Sequence, residues 1–115
     1  MAAARVSRTD NVVLVCRAAD NAVHAYLNGS EVYARDDENH RQDFNDETRL
    51  APMMQDGYNV LSVLGVRWAN SFNFNVQVEV NGNVVASHIE PTLTGPRNPN
   101  GIAWDFAVEF NMVAA

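Results

Sequence analysis

At 115 residues and 47% hydrophobic content, the chain has the size and composition of one globular domain, which argues against disorder. Its formal charge of −6, from 14 acids and 8 bases, argues against nucleic acid and anionic membrane surfaces as partners, because both need basic faces. The start, Met1 to Arg8, lacks an apolar signal-peptide core, and no run is long enough to span a bilayer. The expectation is a soluble protein without membrane insertion, cytoplasmic or secreted without a recognisable leader.

Residues 1–10 carry no period and read as an N-terminal arm. Asn11 to Arg17 is nearly all apolar, as a central strand covered on both faces would be. Ala22 to Leu27 alternates, with Val23, Ala25 and Leu27 on one face and His24 and Tyr26 on the other. Asn28-Gly29 follows, a dipeptide that favours the type I′ turn of a hairpin, and Glu31 to Arg35 is the return strand. Residues 36–47 are polar apart from Phe44 and read as an exposed loop. Thr48 to Leu50 is a short edge strand, and Ala51 to Gly57 a turn region. Tyr58 to Val66 is almost continuously apolar and should lie centrally.

Phe72 to Asn81 is the plainest element: even positions are large and apolar, odd ones Asn, Gln or Glu. A period of two means a strand with one face in a core and the other in water or against a partner. Asn81-Gly82 then turns the chain into Asn83 to His88. A Pro- and Gly-containing loop over 91–101 leads to Ile102 to Met112, with Ile102, Trp104, Phe106, Val108, Phe110 and Met112 in register on one face. The fold class is all-β: an antiparallel two-sheet β-sandwich of about eight strands in a single domain.

Strands that each cross the sandwich once send successive loops to alternate ends. Connections 18–21, 36–46, 67–71 and 89–101 then share one end; the two Asn-Gly turns and 51–57 share the other. The first end gathers acids, amides, Arg and a Trp, the side chains that hold sugars. Carboxylates and amides take hydrogen bonds from hydroxyls, and an indole stacks on the apolar face of a pyranose. The candidate ligand set is Trp68 for stacking, with Arg67, Asn70, Asp36, Asp37 and His40 for hydrogen bonding. Trp104, by contrast, is in register with the core.

Asp43, Asn45 and Asp46 supply hard oxygen donors that suit calcium, the one cofactor considered. Their spacing is not that of an EF-hand, and a solvated acidic loop is the plainer account. The three His are too scattered for a zinc site. Cys16, the single Cys, sits in an apolar run and reads as a small buried hydrophobe rather than a nucleophile. No serine has a nucleophile-elbow context, no phosphate-binding Gly loop exists, and no pair of carboxylates can be set across a scissile bond; no enzyme activity is expected.

Asp20-Asn-Ala-Val-His-Ala-Tyr-Leu-Asn-Gly and Leu50, Gly57, Asn59, Leu61, Val63 resemble the galactose-binding-domain-like jelly roll. The resemblance spans about 11–112 and implies a jelly-roll sandwich. It also implies kinship with carbohydrate-binding modules and lectins, many of which hold a structural calcium. The expected function is therefore non-catalytic, lectin-like carbohydrate binding at the loop-rich end. The rival is a protein-interaction or oligomeric assembly subunit with no sugar ligand, using an outer strand face or a sheet edge. A homo-oligomer is compatible with both, since weak sugar sites gain from multivalency.

Overall fold

The computed structural model describes residues 3–36, 44–67, 72–93 and 101–113, in which nine strands follow one another. They are β1 (Ala4–Ser7), β2 (Val12–Asp20), β3 (Ala22–Leu27), β4 (Ser30–Asp36), β5 (Asp46–Arg49), β6 (Gly57–Arg67), β7 (Phe72–Val80), β8 (Asn83–Leu93) and β9 (Gly101–Val113). A short 3-10 turn, Ala51–Met53, precedes β6, with Pro52 near its start. One sheet has the order β1-β9-β6-β3-β4 and the other β5-β2-β7-β8. Only β3–β4 and β7–β8 are sequential neighbours within a sheet; every other connection passes between sheets.

Both expected hairpins form. Asn28 and Gly29 have φ of 53° and 85°, and Asn81 and Gly82 have 51° and 83°. Two consecutive positive φ angles define the type I′ turn, whose twist matches that of the strands it joins. Each turn asparagine also binds a third segment. Asn28 Oδ1 accepts from the Val60 N–H, and its own N–H donates to the Val60 carbonyl, both at 2.9 Å. Asn81 repeats the device with Asn11, at 2.8 Å in both directions. Beside the first turn, the wholly buried Asn59 amide accepts from Gln55 N–H and Asn28 Nδ2 and donates to the Gln55 and Gly57 carbonyls.

The inward faces of both sheets merge in one core. Leu14, Cys16, Phe74, Val76 and Val78 come from one sheet, and Val23, Leu61, Val63, Val108 and Phe110 from the other. β2 is central, as its composition implies: Val13 and Val15 point outward yet are 5% and 4% exposed. They lie between Arg49 and Glu79, and between Glu47 and Gln77, at their paired positions.

The expected all-β, two-sheet sandwich forms, and two details add to it. The N-terminal arm is in part a strand: Ala4–Ser7 pairs with Phe110–Val113, and Val6 is buried. That pairing is parallel, so the sandwich has nine described strands and is not antiparallel throughout. Four residues are too few to display a period, and a parallel partner remote in sequence leaves no hairpin turn as a signal.

The register fixes which strand ends meet. Ala22 lies opposite Asp36 and Val66, Arg67 opposite Gly101, Asp20 opposite Asn73, and Phe72 opposite Leu93. The connections after β2, β4, β6 and β8 therefore leave from one pole, as alternation requires. At the other pole, Leu27 lies opposite Leu61 and Val12 opposite Val80. Arg8 braces that pole, donating to the Ala51 and Met54 carbonyls and pairing with Asp56 at 2.8 Å.

Candidate binding cleft

Near the loop-rich pole, the ladders of the four-stranded sheet lose their regular register. β2 slips against β7 between Cys16 and Ala18, and β7 slips against β8 between Phe72 and Phe74. Such irregularities bend a strand and re-aim its side chains. There the surface opens into a cleft of about 310 Å³ lined by Arg17, Ala18, Asn73, Phe74, Asn75, Ile89 and Glu90. Its size falls within the usual range for small-ligand sites, roughly 300–1,000 Å³.

Four polar side chains line this cleft. Asn75 Oδ1 is buried without a hydrogen-bond partner. Buried polar atoms are nearly always paired, so an orphan acceptor beside a cleft calls for a donor from outside. Asn73 is 7% exposed. Arg17 has no ion pair with a described residue. Glu90 accepts a hydrogen bond from His88 Nε2 at 2.7 Å. Ile89 supplies apolar surface beside these groups.

Behind the cleft, the two sheets are clamped by stacked rings. The His88 imidazole lies flat on the Trp104 indole, centroids 4.3 Å apart with planes 13° apart. Phe106 stacks on the same indole at 5.8 Å, and Phe74 meets it edge-on at 5.3 Å. Gly65, opposite Trp104 across β6 and β9, makes room: a Cβ there would lie within 3 Å of three indole atoms. Trp104 is 8% exposed and belongs to the core, in line with its register.

Of the residues expected to bind a ligand, Asp36 and Arg67 reach the same pole. Asp36 is exposed at the end of β4; Arg67, at the end of β6, is only 5% exposed. Asp37, His40, Trp68 and Asn70 lie outside the described residues, as does Asp43 of the expected metal set. The other two members of that set are engaged elsewhere. Asn45 Nδ2 donates to Glu47 at 2.7 Å. Asp46 Oδ2 accepts from the Tyr33 hydroxyl at 2.6 Å and from Arg35 Nη1 at 2.9 Å, while that guanidinium lies 3.7 Å over the Phe44 ring. Burial, then the bond to Asp46, pushes the Tyr33 hydroxyl well above its ordinary pKa. Among the described residues no group of three His, Cys, Asp or Glu could hold a metal ion.

Sequence reasoning did not single out Arg17, Asn73, Asn75 and Glu90. The signal available was the polar half of the Phe72–Asn81 alternation, which contains both asparagines. The register slips that turn them toward a cleft have no local motif. Among the described residues no helix is long and apolar enough to cross a membrane. No protein-family model, curated protein or solved structure matches the chain.

Proposed function

We propose that the chain is a non-catalytic carbohydrate-binding domain whose ligand occupies the cleft between β2, β7 and β8. The observation that carries this reading is the buried, unpartnered Asn75 Oδ1 beside Arg17, Asn73 and Glu90. A ligand hydroxyl can donate to a carbonyl oxygen such as Asn75 Oδ1 and accept from a guanidinium such as that of Arg17. Vicinal hydroxyls present that combination repeatedly, and Ile89 offers surface for the C–H face of a sugar ring. Among the described residues Glu90 is the one carboxylate lining the cleft, whereas glycoside hydrolysis ordinarily uses a pair.

A glycan array tests the reading, run with and without a calcium chelator. The expected result is binding to a defined set of glycans. Asn75→Ala and Arg17→Ala should each weaken it at least about tenfold, a loss of about 1.4 kcal/mol, with little change in melting temperature. No glycan signal from the wild-type chain contradicts the proposal, as does retained affinity in both variants.

A further inference from the structure

The two hairpin turns, Asn28-Gly29 and Asn81-Gly82, are exposed to solvent and share a chemical liability. Glycine has no side chain to shield its nitrogen, so that nitrogen, once it loses its proton to base, can attack Cγ of the preceding asparagine. The new N–Cγ bond closes a five-membered imide, the Cγ–Nδ2 bond breaks, and ammonia leaves. Water then opens the imide at one of its two carbonyls, giving aspartate or isoaspartate. Isoaspartate carries the chain through Cγ and so lengthens the backbone by one atom. The attack requires the side-chain amide to swing its Cγ over the glycine nitrogen, so an amide tethered at both ends reacts slowly.

Both amides are tethered in this way. Asn28 Oδ1 accepts from the Val60 N–H and Asn28 Nδ2 donates to Asn59 Oδ1, both at 2.9 Å. Asn81 Oδ1 accepts from the Asn11 N–H at 2.8 Å, and Asn81 Nδ2 donates to Asp10 Oδ1 at 3.0 Å. Each asparagine N–H also donates to the carbonyl of that same third segment, Val60 or Asn11, which holds the backbone with the side chain. Since both turns face water, protection comes from the tethers and not from burial. The two anchors differ. Asn59 is wholly buried, whereas the bond between Asn81 and Asp10 is exposed. The Asn81 amide is the first cause holding the Asp10 carboxyl below its ordinary pKa, as a hydrogen bond to the ionised form does.

We propose that Asn28 and Asn81 are deamidation sites sealed by these tethers and opened by unfolding, and that conversion of Asn28 is the one that makes unfolding irreversible. An aspartate at 28 has an oxygen where Nδ2 donated, so two acceptors meet at the buried Asn59, where losing a donor carries the full penalty of desolvation. At 81 the new carboxylate meets Asp10 in solvent, where like charges are screened. The sealing is independent of what the cleft binds.

Peptide mapping by mass spectrometry tests it on the full chain, held at mildly alkaline pH with and without denaturing guanidinium chloride. Asn28 and Asn81 should each convert at least about tenfold more slowly in the folded chain. Asp10→Ala removes an exposed anchor, so in the folded chain it should speed conversion of Asn81 about threefold or more and leave Asn28 unchanged. After denaturant is removed, the fraction regaining native circular dichroism should fall in step with conversion of Asn28. Asn28→Asp should lower the melting temperature further than Asn81→Asp. Equal rates with and without denaturant overturn the proposal, as does an Asp10→Ala chain in which Asn81 converts as slowly as in wild type. Full refolding of chains converted at Asn28 overturns the role given to that residue.

Discussion

Single residues in this domain are fixed by what lies directly against them. Gly65 is the clearest case, because the indole of Trp104 occupies the space of its missing side chain. The indole cannot yield easily, being held between His88 and Phe106. Gly65→Ala should cost about 1–3 kcal/mol, the usual range for overpacking, measured by denaturant unfolding. Combining it with Trp104→Leu should cost less than the sum of the two single changes, since the clash is removed with the ring.

Cys16 illustrates the electrostatic side of burial. Desolvation pushes its thiol from the ordinary 9.0 up to about 11. The folded state therefore holds this proton when the unfolded state has released it. The stability contributed is fully present below about pH 9 and falls as pH rises toward 11. Unfolding measured across that window should show wild type losing more stability with rising pH than Cys16→Ala does. Native protein at pH 8 should react with a thiol reagent only on unfolding.

At the scale of elements, legibility in the sequence followed periodicity and turn chemistry. Phe72–Val80 and its partner strand were legible because alternation and an Asn-Gly turn both act over a few residues. The ends of the central strands were legible for the same reason, and alternation of crossings then located the loop-rich pole. β1 was not, because its one buried side chain, Val6, depends on a partner about a hundred residues away. Val6→Ala distinguishes a strand from a loose arm. The strand predicts a loss of roughly 1–3 kcal/mol from a cavity beside Met112, whereas an arm predicts none; thermal or urea unfolding reads the difference. The cleft was illegible in a different way. Asn73 and Asn75 look like solvated positions of an alternating strand, and only the slips of β2 and β8 against β7 give them a concave setting. Register is a property of paired strands, so neither strand alone encodes it.

In the molecule as a whole, rigid and irregular parts are segregated. One pole is tied down by short turns, by Asn28, Asn59 and Asn81, and by Arg8. The long connections leave from the other, near which the cleft lies. Binding sites are commonly built in this manner, with variable segments held by an invariant scaffold. The central claim is that the cleft between β2, β7 and β8 takes a carbohydrate. Its most direct test is a nuclear magnetic resonance titration of the isotope-labelled chain with glycans that score on an array. The account predicts saturable shifts at Arg17, Ala18, Asn73, Asn75 and Glu90, including the Asn75 side-chain amide, with the Asn28-Gly29 turn unmoved. Shifts centred on the turn pole, or none at the cleft while a glycan binds, would contradict it.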